Sequence, residues 1–178
     1  LYAGKSIATL GTQANGSPQY SAWGQVSPLL SVPTTLPNDI VYATFLQLYP
    51  GSGANMNHPY MEDILPAELD YVEGIDGNWW RMLWSINYYS PSLANSSLDP
   101  INQPACQNPI FTRTVLPNGQ IKLLWEWPGC QIVSVPNQRH MGVWFSARIR
   151  PGVAAGTAIN NLMEVGDVNI PQFYCGYY

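Results

Sequence analysis

Short runs of apolar residues, broken about every eight to twelve positions by Gly, Pro and Asn, recur along the chain. Some runs alternate apolar and polar side chains, as strands with one buried face do, and others are almost continuously apolar, as doubly buried strands are. This pattern predicts an all-β fold, a two-sheet antiparallel β-sandwich of the jelly-roll kind, in one domain over residues 1–178. The clearest predicted strands are residues 40–49, 68–73, 78–89, 111–115, 120–127 and 141–149.

Turn residues predict how several of these strands connect. Asn118-Gly119 lies between two apolar runs and is a strong signal for a β-hairpin. Residues 1–10 alternate enough to form a strand, which we expect at the edge of a sheet. Residues 50–66 are rich in Gly, Asn and Pro and are predicted to form a long loop.

The composition narrows the range of partners. Only 10% of the residues are charged, the net charge is −4, and the seven basic residues are scattered, so we expect no nucleic-acid partner. No apolar run approaches the length that spans a membrane, and we expect no membrane partner. The first residues lack the apolar core of a signal peptide, which indicates a mature chain.

Three cysteines permit one disulfide with one thiol left over, or no disulfide. Of the pairings among Cys106, Cys130 and Cys175, we prefer Cys106 with Cys130. The low charge and the glycosylation sequons at Asn15 and Asn95 favour a secreted, extracellular protein, in which a disulfide persists.

Nine positions that begin at Glu68 hold four of the chain's eleven acidic residues. In a strand, the period of two places Glu68 and Asp70 on one face, while the apolar residues between and after them face the other way. One extra bulge residue between Asp70 and Glu73 would bring all three carboxylates onto that face. We therefore predict a bulge here, with the aromatic strand 78–89 as the hairpin neighbour.

Two interpretations of this acidic strand stay open on local grounds. The acids can form a solvated strand end that runs into the turn at residues 74–77, since acidic side chains usually lie outside. Alternatively, repulsion between neighbouring carboxylates separates their pKa values, which lets a nucleophile and a general acid coexist at one pH.

In chain order, these segments resemble glycoside hydrolase family 16, the laminarinase- and lichenase-type β-glucanases with a concanavalin A-like jelly roll. Glu68-Leu69-Asp70-Tyr71-Val72-Glu73 is similar to the family's Glu-x-Asp-x-x-Glu signature, and Pro66-Ala67 is similar to its lead-in. The resemblance extends over residues 20–150, with further matching segments at residues 20–24, 40–45, 124–128 and 131–133.

The resemblance implies a retaining endo-β-glucanase that acts on β-1,3 or β-1,3-1,4 glucan, with a polysaccharide as partner. Glu68 would be the nucleophile, Glu73 the acid/base, and Asp70 the residue that tunes the pair. A glucan cleft also needs flat apolar faces and polar contacts, although aromatic rings equally serve to fill a core. The candidate substrate-binding residues are Trp80, Trp84, Asn87 and Trp125.

No metal site and no cofactor are predicted. His58 and His140 do not have a recognisable metal-ligand spacing, and the structural calcium common in the family leaves no readable trace in the sequence. An alternative with fewer matching residues is the chemistry of an acid-active glutamic peptidase, with Glu126 as catalytic acid and Gln47 as its partner.

A different class of function also fits the composition. Low charge, an aromatic interior and abundant Asn, Gln, Tyr and Pro suit an extracellular filament, capsid or cell-wall subunit, or a non-catalytic sugar-binding module. Self-association is then an expected property of the chain.

Overall fold

The structure, a computed structural model, describes residues 2–12, 18–20, 24–25, 39–47, 55–72, 79–83, 103–132, 140–161 and 163–169. These residues form two antiparallel sheets and one turn of 3-10 helix at Pro104–Cys106. The prediction of an all-β protein with two antiparallel sheets is confirmed. The strands are β1 Tyr2–Thr12, β2 Pro18–Tyr20, β3 Gly24–Gln25, β4 Asp39–Gln47, β5 Pro59–Leu65, β6 Leu69–Val72, β7 Trp79–Leu83, β8 Ile110–Val115, β9 Ile121–Glu126, β10 His140–Ile149 and β11 Met163–Asp167.

The larger sheet has seven strands in the order β2-β1-β4-β10-β6, with β3 also paired to β1 and β7 also paired to β10. Strand β1 pairs with β4 along one side and with β2 and β3 along the other. The prediction of an edge strand at residues 1–10 is therefore wrong. An alternating pattern reports which faces of a strand are buried, but it carries no information about how many of its edges are paired.

The smaller sheet has four strands in the order β11-β5-β9-β8. Its central strand β5 lies within residues 50–66, so the prediction of one long loop there is wrong. Met61, Asp63 and Leu65 point inward and are buried, while Glu62 and Ile64 point outward. The sequence of this alternating strand resembles a polar segment, because it contains two successive acids, Glu62 and the buried Asp63.

The hairpin predicted at Asn118-Gly119 joins β8 to β9 and is confirmed. The backbone N–H of Leu116 donates to the carbonyl of Gln120 at 2.8 Å, and Gly119 adopts φ +81°. Glycine reaches this left-handed conformation without the steric cost that a Cβ imposes. The Asn118 Oδ1 accepts the N–H of Gln120 at 3.1 Å and fixes the turn from inside.

The inward residues of both sheets form one hydrophobic core. Trp125 lies at its centre, with ring centroids 5.2 Å from Phe111 and 5.4 Å from Phe145. Each fully buried large side chain contributes about 1.5–3 kcal/mol relative to exposure. The largest fully buried side chains are Trp127, Phe145, Met56, Met61, Leu65, Leu69, Leu123, Ile132 and Val143.

The preferred disulfide, Cys106 with Cys130, forms in the structure, with the two α-carbons 4.7 Å apart. It joins the segment that enters β8 to the segment that leaves β9. Beside it, the Gln103 side chain donates to the carbonyl of Gln131 and accepts its N–H, both at 2.8 Å. The third cysteine, Cys175, lies outside the described residues.

Candidate functional site

The first predicted catalytic residue, Glu68, lies in a turn and not in a strand. Pro66, Ala67 and Glu68 carry the chain from β5 in the smaller sheet to β6 in the larger one. The N–H of Leu69 donates to the Pro66 carbonyl at 3.0 Å, and the Glu68 carbonyl accepts the N–H of Arg150 at 2.8 Å. The backbone of Glu68 therefore helps to hold the corner between the two sheets.

Asp70 faces outward from β6, as the period of two predicts. Its side chain is 52% exposed, and its Oδ1 accepts a hydrogen bond from Arg150 Nε at 2.8 Å. Arg148 on β10 is its directly opposed residue, and Asp39 on β4 opposes Arg148 from the other side. The register thus sets acid, base and acid side by side across three strands, an order that favours pairing. In this setting Asp70 is an ion-pair partner of arginine.

Strands β6 and β7 run in the same direction, both antiparallel to β10. Strands β6 and β7 follow one another along the same edge of β10, with Val72 opposite Ser146 and Trp79 opposite Trp144. The prediction of a hairpin between the acidic and aromatic strands is therefore wrong. β6 itself pairs one-to-one with β10, so no bulge lies within its four described residues.

The remaining predicted site residues divide into two groups. Trp125 is 2% exposed, and its ring packs in the core, so it presents no face to a ligand in this structure. Trp80 belongs to β7 and opposes Val143 on β10, and its side chain lies outside what the structure describes. Glu73, Trp84 and Asn87 also lie outside the described residues.

A second polar group, absent from the predictions, lies on the outer face of the smaller sheet. It comprises one ion pair, one hydrogen bond and one contact between a histidine and a carboxylate. Lys122 Nζ lies 2.6 Å from Glu62 Oε2, His58 Nε2 lies 3.4 Å from Glu126 Oε1, and the Tyr60 hydroxyl donates to Glu164 Oε1. The sequence hid this cluster because β5, which supplies two of its members, was predicted to be a loop.

On this outer face one acid is paired with a lysine, one accepts a hydrogen bond from a tyrosine, and one lies beside a histidine. Glu62 and Glu164 are directly opposite one another in register, a position in which like charges repel. Glu62 on β5 is paired with Lys122 on β9. Glu164 on β11 accepts a hydrogen bond from Tyr60 on β5. Glu126, the alternative catalytic acid, is on this face, whereas Gln47 ends β4 in the other sheet. The described contacts do not join those two residues.

A buried carboxylate fastens the end of β11. Asp167 is 2% exposed, and its Oδ2 accepts the N–H groups of Asn57 and His58 at 2.5 and 2.9 Å. Its Oδ1 accepts the N–H of Asn169 at 2.8 Å, and the Val168 N–H donates to the His58 carbonyl at 3.0 Å. Three backbone donors make Asp167 a structural anchor for this edge of the sheet.

The opposite edge of the smaller sheet is exposed. Across the described residues β8 pairs only with β9; its Phe111 packs against the core, while Ile110 is 56% and Val115 65% exposed. The guanidinium of Arg113 lies over the Tyr71 ring, 5.7 Å from its centroid. Strand β8 carries one charged side chain, Arg113, and no Lys or Pro.

The described residues contain no group of metal ligands and no membrane-spanning helix, and the chain matches neither a family model nor a curated protein. No three His, Cys, Asp or Glu side chains in the described segments lie so that they could hold a metal ion. No helix in that part of the chain is long and apolar enough to cross a membrane. No protein-family model matches the chain, and no curated protein matches it. The resemblance to family 16 glycoside hydrolases stays a prediction.

Proposed function

We propose that this chain is a structural subunit, a jelly-roll-type β-sandwich that associates with further copies of itself through a sheet edge. The observation that carries this proposal is β8, which among the described residues pairs with β9 alone and whose residues Ile110 and Val115 are mainly exposed. An unblocked edge presents a row of backbone donors and acceptors that another strand can pair with.

The positions of the acidic residues support a structural role. Glu68 holds the corner between the sheets through its backbone, and Asp70 is paired with Arg150. On the outer face of the smaller sheet, Glu62, Glu126 and Glu164 each have a partner of their own. A catalytic pair needs two carboxyl groups that share one substrate-sized space, and the described acids are instead distributed over separate contacts.

An extracellular location is part of the proposal. The Cys106–Cys130 disulfide supports it, because such bridges persist in oxidising compartments and are rare in the cytosol. The low charged fraction of 10% also suits a surface that is meant to be covered by neighbouring subunits.

Light scattering coupled to size exclusion, followed by negative-stain imaging, tests the proposal. We expect species at multiples of 19.7 kDa whose share grows with protein concentration. A monomer at every concentration, with no assembled particles in the images, would contradict the proposed function.

A glucan hydrolase of the family 16 type is the second candidate, and the outward position of Asp70 beside a solvent-exposed face favours it. Release of reducing sugar from laminarin and lichenan tests it. In an enzyme, Glu68→Gln would lower turnover by roughly a thousand-fold or more, whereas the control Glu62→Gln would leave it unchanged. Absence of sugar release by the unmodified protein would remove this candidate.

A further inference from the structure

We infer that Asn118 is a site of spontaneous deamidation, and that the folded hairpin keeps this site unreactive through the side chain of Gln120. The inference concerns the turn between β8 and β9 and does not depend on the proposed function. Asn118 and Gly119 are exposed in that turn, and Gly119 has no Cβ that would crowd its backbone nitrogen. The thermal lability of asparagine arises from reactions of this kind.

The reaction takes place within the chain and needs only water as co-reactant. The backbone nitrogen of Gly119 attacks Cγ of Asn118, so that an N–Cγ bond forms and the Cγ–Nδ2 bond breaks. The amide nitrogen leaves as ammonia and takes the proton that the Gly119 nitrogen loses. Water then opens the cyclic imide at either of its carbonyls and leaves an aspartate or an isoaspartate at position 118. Because the two reacting groups belong to adjacent residues, the first step is unimolecular.

In the folded turn the attacking nitrogen is already engaged. The Gly119 N–H donates to the Leu116 carbonyl at 2.8 Å, and the Leu116 N–H donates to the Gln120 carbonyl, also at 2.8 Å. The Gly119 nitrogen must give up its proton in order to attack. The Leu116 oxygen occupies the position from which a base would remove that proton, so the hydrogen bond has to break first.

The amide that would be attacked is held at both of its ends. Asn118 Oδ1 accepts the N–H of Gln120 at 3.1 Å, and Asn118 Nδ2 donates to Gln120 Oε1 at 2.6 Å. These two bonds fix one orientation of the planar amide, whereas the attack makes Cγ tetrahedral. The nitrogen that has to leave is itself the donor to Gln120. Deamidation in the folded turn therefore has to break these contacts with Gln120.

Gln120 can hold Asn118 because its own side chain is anchored. Its Nε2 donates to the carbonyl of Leu65, at the end of β5, at 3.1 Å. A backbone carbonyl only accepts, so Nε2 must face Leu65 and Oε1 must face Asn118. The Gln120 N–H only donates, so Asn118 must turn Oδ1 toward it and Nδ2 toward Oε1. Backbone groups at both ends thus determine the direction of every bond between β5 and the turn.

Deamidation would break this series of contacts irreversibly. A carboxylate at position 118 has two acceptor oxygens and no donor, so it would face Gln120 Oε1 acceptor to acceptor. Turning the Gln120 amide resolves that conflict but sets Oε1 against the Leu65 carbonyl. The isoaspartate product also adds a methylene to the main chain of a tight turn. A deamidated molecule therefore loses the contact between the β8–β9 turn and β5.

The experiment follows deamidation by peptide mapping and mass spectrometry, which detects the mass difference between an amide and a carboxylic acid. The full chain, produced without glycans, is incubated at mildly alkaline pH in native buffer and in concentrated guanidinium chloride. Asn15, the other asparagine followed by glycine, is the internal reference in guanidinium chloride, where local sequence governs the rate. We expect Asn118 to react there at a rate comparable to that of Asn15, and at least about ten-fold more slowly in native buffer.

Gln120→Ala removes the side chain that holds Asn118 and leaves the Asn-Gly dipeptide intact. In native buffer this variant should raise the deamidation rate at Asn118 about three- to ten-fold. The matched control is Gln103→Ala, which also removes a glutamine bonded to backbone groups, but beside the disulfide and away from the turn. The control should leave the rate at Asn118 unchanged.

Circular dichroism of both variants checks that the fold is retained. Equal rates at Asn118 in native buffer and in guanidinium chloride would overturn the protection by the folded hairpin. A rate in Gln120→Ala no higher than in Gln103→Ala would overturn the role of Gln120. Deamidation of Asn15 without deamidation of Asn118 in guanidinium chloride would overturn the site itself.

Discussion

The two edges of the four-stranded sheet are built in opposite ways. At one edge, Asp167 fastens the end of β11 through three backbone N–H groups, and the Tyr60 ring covers Gly166 closely. At the other edge, the described contacts of β8 are with β9 and the core rings beneath it, and Ile110 and Val115 are exposed. The first edge strand is fastened to its neighbour by buried polar contacts, and we call it the closed edge; the second is exposed in the part of the chain that the structure describes, and we call it the open edge.

Because the two edges differ, we expect the stability of the fold to depend on the β11 edge and association to depend on the β8 edge. Substitutions at the β11 edge remove buried contacts and should lower the free energy of unfolding. Substitutions at the β8 edge touch exposed side chains and should leave folding almost unchanged while they alter association. The entry to β8 is fixed by the Cys106–Cys130 disulfide.

The largest effect is expected from removing that disulfide with Cys106→Ala and Cys130→Ala together. The two cysteines are 24 residues apart, and opening such a loop in the unfolded chain costs about 3.5 kcal/mol of stability. Urea denaturation followed by tryptophan fluorescence measures the change. A midpoint equal to that of the unmodified protein would mean that the disulfide does not fasten the entry to β8.

The next effect is expected at the closed edge, from Asp167→Ala. Three backbone N–H groups around a nearly fully buried carboxylate would lose their acceptor, which costs about 3 kcal/mol in the free energy of unfolding. Asp167→Asn keeps one acceptor oxygen and should fall between the two. If both variants stayed within about 0.5 kcal/mol of the unmodified protein, Asp167 would not be an anchor.

A smaller loss is expected from Gly166→Ala, also on β11. A Cβ at this position would lie 2.9 Å from Cε1 and 3.0 Å from the hydroxyl oxygen of Tyr60, closer than these atoms can approach. Displacing the ring costs about 1–3 kcal/mol. In a Tyr60→Ala background the penalty should disappear, and a double-mutant cycle measures that coupling. An unchanged penalty in that background would place the strain elsewhere.

The smallest effect on folding is expected from Val115→Thr at the open edge. Val115 is 65% exposed, so the change should stay within about 0.5 kcal/mol. The same substitution at the closed edge, Val165→Thr, introduces a hydroxyl at a fully buried position and should cost about 1–3 kcal/mol. Thermal unfolding of the two variants side by side compares the edges with identical chemistry. Equal losses would mean that the edges do not differ.

The sequence predicted local features well where the signal lies within a few residues. The Asn118-Gly119 turn requires a residue that tolerates positive φ, and Gly119 has φ +81°. Asp70 points outward because side chains alternate along any strand, whatever its partners. The Cys106–Cys130 pairing, preferred over its alternatives, also forms.

Predictions failed where they depended on partners distant in the chain. β5 was hidden because its inward row includes Asp63, a buried acid that no alternation pattern anticipates. The acidic strand and β7 were expected to form a hairpin because they are neighbours in sequence, but both pair with β10 instead. The outer-face contact between Lys122 and Glu62 joins residues sixty positions apart and depends on that same missed strand.

The sequence by itself determined that this chain is an all-β protein with low charge, where its tight turn lies, and which way the side chains of its strands alternate. These properties follow from the conformational preferences and hydration of single residues and their near neighbours. The tertiary structure decided which strands became neighbours, that Glu68 lies at a corner between sheets, and that β8 is an edge strand among the described residues. Strand order and register come from long-range pairing and burial, which depend on the whole chain at once.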